Sequence, residues 1–399
     1  MDFDIAGGRV LVGDHLEEAS VAVADGIIND VGADASAHTM LDADGLLVLP
    51  GIVDIHGDAF ERQLMPRPGV DIAVDVGLLD SDRQAVANGI TTVFHGVTCS
   101  WEPGLRGLDN ARRILEAIEA LRGRFAADAR FHLRYETFNL AAEDEVAGWL
   151  AARRIHAVAF NDHMPSSESL AERPEKIDQM VQRAGVPRAD FVALVERLHA
   201  RREEVPASIQ RIAELANANG VPMLSHDDAS PQQRRWFRAL GCRVSEFPKN
   251  VETAQDAASA GDRIVLGAPN VMRGKSHVGW IDATSMVAEG LCSVLASDYY
   301  YPAPLIAAFR LAERGVAPLE KAWRLVSEAP AHAVGLADRG RIAPGCRADL
   351  VLVEAAASRV PRVIGVIAAG RVVYLTEAER LVSGRRARMR EREPADLMQ

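Results

Sequence analysis

Leu46-Leu47-Val48-Leu49-Pro50-Gly51-Ile52-Val53-Asp54-Ile55-His56-Gly57-Asp58 is an apolar run that stops on an imidazole and a carboxylate, and its reading decides the fold of this chain. In an extended strand residues i and i+2 share a face. His56 and Asp58 therefore converge on one point where the strand ends. Imidazole nitrogen with carboxylate oxygen is a ligand set for a divalent metal such as zinc, manganese or iron. A lone His-x-Asp triplet is weak evidence of such a site; its weight comes from what recurs further along.

Seven more short β-like runs follow, at residues 89–95, 131–136, 157–163, 221–228, 242–246, 264–270 and 293–298. Most of them close on histidine or an acid: His95, Glu136, Asp162-His163, His226-Asp227-Asp228, Glu246 and Asp298. Apolar residues at i, i+3, i+4 spacing mark helices between them, at 110–121, 191–199, 208–218 and 304–312. Eight strand-then-helix units describe a (β/α)8 TIM-like barrel over residues 49–340, whose active site lies at the carboxyl ends of the strands. The stretch from Met164 to Pro206 is long, charged and helical in pattern, and is expected to be a lid or an interface insertion.

Both chain ends read as β structure. Residues 3–35 alternate β-branched runs with turn signals, Asp25-Gly26 being a strong hairpin signal. Gly345-Cys346-Arg347-Ala348-Asp349-Leu350-Val351-Leu352-Val353 and the runs 363–367 and 370–374 mirror it. Neither cluster can hold a core alone. Residues 1–48 and 341–376 are expected to pair into one small β-sandwich domain, leaving 377–399 as a basic tail.

Composition bounds the function. The net charge of −11 argues against a nucleic-acid binder but not against a small anionic substrate held by local arginines. Four scattered cysteines lack C-x-x-C spacing, so no zinc-thiolate site or disulfide framework is suggested. Asp2 and Asp4 stand where a signal peptide would be basic and apolar. No apolar run reaches the ~18–20 residues of a membrane span. A cytoplasmic homo-oligomeric enzyme is expected, with neither nucleic acid nor membrane as partner.

A single histidine near a strand is more often structural than a ligand. Jointly, His56, Asp58, Glu136, His163, His226 and Asp298 all terminate predicted barrel strands. That set suits one or two divalent cations sharing a carboxylate and a water. His95 and His132 have a weaker claim, His132 sitting deeper on its strand. Asp162 and Asp227 are placed to orient the neighbouring histidines.

The run 49–56, the long β/α middle, and Gly340 to Asp349-Leu350-Val351 resemble the amidohydrolase superfamily. Within it, His56-Gly57-Asp58, Met65-Pro66-Arg67-Pro68, Gly89-Ile90-Thr91-Thr92-Val93, Ser225-His226-Asp227-Asp228, Gly267-Ala268-Pro269-Asn270 and Ser297-Asp298-Tyr299-Tyr300 are similar to the PhnM-type ribose 1-methylphosphonate 5-triphosphate diphosphatases of phosphonate breakdown. The loop Arg273-Gly274-Lys275-Ser276-His277 departs from the Arg-Gly-Gly-Ser-His of that group, and Val278-Gly279-Trp280 replaces Ser-Gly-Asn. The resemblance implies that the six strand-end residues bind divalent metal, zinc being expected and manganese or iron the alternatives, with Glu136 bridging. It also implies release of pyrophosphate from an anionic phosphorylated sugar, with Asp298 as the proton acceptor. Such a reaction needs cationic donors, for which Arg67, Arg134, Arg273, Lys275 and His277 are the candidates. The alternative is an amidohydrolase acting on a C–N bond: a deacetylase, deaminase or cyclic amidase.

Overall fold

The computed structural model describes residues 2–32, 37, 39–166, 174–274, 282–355 and 360–383. Lys275, His277 and Trp280 lie outside these residues. Eight strands stand side by side in chain order: β1 (Ile52–Gly57), β2 (Ile90–Cys99), β3 (Asp128–Glu136), β4 (Ala157–Asn161), β5 (Met223–His226), β6 (Val244–Glu246), β7 (Arg263–Gly267) and β8 (Val294–Ala296). Every neighbouring pair is parallel. Reciprocal bonds of 2.9 Å, from the Asp58 amide to the Asp298 carbonyl and from the Asp298 amide to the His56 carbonyl, close the ring between its first and last strands. The chain thus forms the (β/α)8 barrel expected of it. Strands of such a barrel are covered on both faces and read as continuous apolar runs; all ten residues of β2 are buried.

Two antiparallel-rich sheets, built from both chain ends, make the β-sandwich. One has six strands in the order Arg371–Leu375, Arg362–Ala368, Leu350–Glu354, Leu47–Pro50, Arg9–Val12 and His15–Glu18. Strand alternation splits its side chains between two cores. Val48, Leu350, Leu352 and Ile364 face the sandwich interior with Phe3, Val23 and Leu41. Leu49, Val351, Val353 and Val363 face the barrel. The other sheet has five strands and ends on Leu381–Ser383, paired antiparallel with Thr39–Leu41. The basic tail therefore does not begin at 377: the Leu381-Val382 pair is apolar enough to extend a sheet edge before the arginine-rich residues that follow.

Asp128, at the foot of β3, ties barrel to sandwich. Its carboxylate accepts from Arg130 at 2.9 Å, Arg339 at 2.7 Å and Arg347 at 3.2 Å, and Arg339 also donates to Thr92 Oγ1 on β2 at 2.9 Å. Burial alone would raise the Asp128 pKa, but the three guanidiniums overcome it and hold the group down at about 2. A carboxylate depressed in this way adds stability above the unfolded pKa near 4, and that stability is lost as pH falls toward 2. Asp128→Asn should cost about 2 kcal/mol at neutral pH. In urea melts the gap between wild type and variant should roughly halve between pH 6 and pH 3; a gap independent of pH would remove the ionic explanation.

The insertion after β4 holds two described helices, Pro174–Ala184 and Arg188–His199. Ile177, Met180, Phe191 and Val195 gather around Trp101 in a small core of their own, which seats the insertion over the carboxyl end of the barrel. Among the described residues no helix is long and apolar enough to cross a membrane.

Candidate active site

On β3, Phe131, Leu133 and Tyr135 point outward into the helix-facing core. Alternation therefore sends His132, Arg134 and Glu136 inward. At the carboxyl ends of the strands the structure brings together three groups whose ligand atoms lie within 4.8 Å of one another: His56, Asp58 and Asp298; His163, His226 and Asp227; and His56, His226 and Glu246.

The histidines are oriented by carboxylates. Glu246 spans two of them, one oxygen 2.9 Å from His56 Nδ1 and the other 3.2 Å from His226 Nδ1. Glu136 holds His163, with 2.6 Å to Nδ1 and 3.1 Å to its amide. Fixing Nδ1 leaves each Nε2 to face the site, the usual arrangement behind metal-ligating histidines. The Nε2 atoms of His163 and His226 stand 3.8 and 3.7 Å from the two oxygens of Asp227. Those separations are too long for hydrogen bonds but near the roughly 3.4 Å between two donors on one tetrahedral ion with ligand distances of about 2.1 Å. The donor set fits divalent cations.

Electrostatics agree. Burial would lower the His56 pKa, but the charge and hydrogen bond of Glu246 overcome it and raise the ring above its ordinary value. Burial opposes ionisation of Glu246 too, yet His56 and His132 keep it well below the usual carboxylate range. For Glu136 the charge and bonds of His163 outweigh burial and hold it at about 2. Asp298 goes the other way: burial, then the neighbouring charge of Asp58, pushes it up to about 7. Asp58 stays low because Arg134, donating to it at 2.9 Å, and Arg106 outweigh burial.

Several expectations need restating. Glu136 lies outside all three groups, and both of its oxygens are engaged by His163. Glu246, not singled out in the sequence, stands among them; its signal was the one used for the others, an acid ending a barrel strand. Asp227 sits within a group rather than behind a histidine. Asp162 is exposed and accepts from the Met164 amide at 3.1 Å, and among the described residues no hydrogen bond joins it to His163. His132 is fully buried, donates through Nδ1 to the Ile55 carbonyl (2.9 Å), and packs edge-on against His56. His95 faces Phe60, away from the groups.

Above the groups opens a cavity of about 510 Å³. Its walls carry Arg62, Arg106, Arg134, Lys176 and Arg183. Only Arg134 of these was expected. Arg67 lies exposed in a turn with Val70, and Arg273 is exposed with its guanidinium 3.4 Å from the Tyr299 hydroxyl; neither lines the cavity. Arg62 and Arg106 follow β1 and β2 on the carboxyl face, where barrel active sites lie, and could have been read from that.

The amidohydrolase family profile matches residues 47–373. The chain is 33% identical over 320 residues to the alpha-D-ribose 1-methylphosphonate 5-triphosphate diphosphatase of Escherichia coli K12, covering 78% of this chain and 84% of that one. It is 25% identical to the imidazolonepropionase of Deinococcus deserti, covering 84% and 86%. Among solved structures, dihydropyrimidinase from Brevibacillus agri superposes with a TM-score of 0.64 at 14% identity, covering 94% of this chain and 96% of that one. The barrel with its two-ended β-sandwich, the strand-end histidines and carboxylates, and these matches place the chain in the amidohydrolase family.

Proposed function

We propose that this protein is a metal-dependent diphosphatase that hydrolyses the 5-triphosphate of alpha-D-ribose 1-methylphosphonate 5-triphosphate, or a close analogue, to the 5-phosphate and pyrophosphate. The observation that carries the reading is the cavity wall. Five cationic side chains there stand against five carboxylates, Asp58, Glu61, Glu102, Glu136 and Asp298. With Asp227 and Glu246 of the histidine–carboxylate groups counted as well, the side chains are net negative, and two divalent cations there would turn the site net positive. A triphosphate suits that excess; a neutral amide does not. The 33% identity to a diphosphatase points the same way.

His56, Asp58 and Asp298 would hold one cation, and His163, His226 and Asp227 a second, with Glu246 and Glu136 orienting the imidazoles. Bound divalent cations would polarise the phosphoryl oxygens and acidify water. Asp298 takes the proton of the attacking water as it adds to the phosphorus nearest the ribose. The bond from that phosphorus to the bridging oxygen breaks and pyrophosphate leaves. Arg134, which gives Nη1 to Asp58 and lines the cavity, would donate to charge developing on the phosphoryl group.

Purified, metal-loaded protein incubated with a triphosphorylated sugar should release pyrophosphate, followed by phosphorus NMR. Orthophosphate instead would mean attack at the terminal phosphorus. Turnover of N-acyl or cyclic amide compounds without any phosphate release would replace the proposal by the C–N hydrolase alternative.

A further inference from the structure

We infer that the inserted helix Pro174–Ala184 forms a subsite for the two outer phosphates of the substrate, with Lys176 and Arg183 as its cations and Gln179 as a neutral donor. The inference rests on the diphosphatase reading and names the residues that would recognise the leaving group.

The helix presents two adjacent stripes. Ile177, Met180 and Ala184, spaced i, i+3, i+7, bury themselves against Trp101 and Phe191. Lys176, Gln179 and Arg183 repeat the same spacing one residue earlier and line the cavity. Residues so spaced share one helix face. Docking by the apolar stripe thus fixes where the polar one points. The dock is tight: a Cβ on Gly104 would come within 2.6 Å of the Arg183 carbonyl oxygen, and Gly104 holds φ at +82°.

Arg183 is set rather than loose. Its Nη2 is 2.6 Å from Glu102, itself only 3% exposed, while Glu102 Oε2 has no hydrogen-bond partner among the described residues. Beside it, Arg106 makes a forked pair with Glu61 at 2.9 and 2.7 Å. Burial and then the neighbouring charge of Arg106 pull the Arg183 pKa below its ordinary value. Arg183 thus lies near a second guanidinium that its own ion pair to Glu61 keeps charged, and an anion beside Arg183 would offset that repulsion. Lys176 is exposed, and no ion pair of 4.0 Å or less holds it among the described residues, so its ammonium is available to a ligand. The reacting phosphorus belongs at the floor, near Asp58 and Asp298. The wall formed by the inserted helix then meets the part of the triphosphate that departs as pyrophosphate.

The test uses the metal-loaded protein and titrates inorganic tripolyphosphate, pyrophosphate and orthophosphate by calorimetry. Lys176→Ala should weaken tripolyphosphate and pyrophosphate binding by about 10-fold or more, the scale of a lost charged hydrogen bond, and Lys176→Glu by more, with orthophosphate affinity unchanged in both. Lys176 is exposed, so neither variant threatens the fold; Arg183→Gln, which also disturbs Glu102, serves as the second variant and should act in the same direction. Equal weakening of all three anions, or none, overturns the subsite. If wild-type protein releases pyrophosphate from a triphosphorylated sugar while Lys176→Ala binds pyrophosphate normally, the subsite alone falls. If wild-type protein binds no polyphosphate, the diphosphatase reading falls and takes the subsite with it.

Discussion

Asp298→Asn should lower kcat by about 10²–10⁴-fold, the loss that follows removal of a positioned general base. The side chain is held where it must act by the backbone. Asp298 follows β8 with φ at +55°, a left-handed conformation that aspartate tolerates better than most residues. Its amide and carbonyl are both tied to β1, through the His56 carbonyl and the Asp58 amide. Gly267, ending β7, leaves room for the carboxylate: a Cβ there would stand 3.2 Å from Asp298 Oδ2. Asparagine keeps the shape and one oxygen donor but cannot accept the proton. Single-turnover kinetics paired with elemental analysis separate the two roles. A slow variant that still carries wild-type metal identifies Asp298 as the proton acceptor. A slow variant emptied of metal makes it a ligand only, and an unimpaired kcat removes it from the chemistry.

Glu246→Gln should weaken metal binding by about 10–100-fold, the usual consequence of removing a carboxylate that orients ligating histidines. Glu246 serves two rings at once, His56 and His226, and besides the group the three share, each ring belongs to one of the two groups proposed to hold a cation. Its loss should therefore depress the affinity of both cations together. Glu136→Gln frees only His163 and should depress one. Competition with a chelating dye, read as two-step or one-step metal release, distinguishes the cases. Equal and single-site effects from both variants would sink the assignment of Glu246 to both rings.

The barrel was legible because each strand is a short apolar run bounded by turn residues, and because polar chemistry interrupts those runs only at their ends. That rule found His56, Asp58, His163, His226 and Asp298, which the structure gathers. It read Glu246 as the acid closing the run 242–246 but left it out of the ligand set, because that run offers no histidine to draw attention. It could not divide roles: Glu136 and Asp227 both end strands or follow them, and only the distances show that one backs a histidine while the other shares a group with two. The cations of the cavity were the hardest to foresee. Arg67 and Arg273 are near strand ends in sequence, yet a loop residue's direction is not set by strand alternation. Lys176 and Arg183 reach the cavity only because Trp101 and Phe191 seat a helix there, a long-range contact that local spacing does not encode. The strand Leu381–Ser383 was hidden by the basic residues beside it.

The pairing of Leu47–Pro50 with Leu350–Glu354 has a consequence for biosynthesis. Leu47–Pro50, paired on one side with Arg9–Val12, waits on its other side for a strand made only after the whole barrel. Closing a loop of about 300 residues costs roughly 5 kcal/mol of chain entropy, which the sandwich interior must offset in one late step. Until then one edge of Leu47–Pro50 stands unpaired, the kind of surface on which nascent chains associate. The barrel therefore has to stand without this clasp until Leu350–Glu354 has been made.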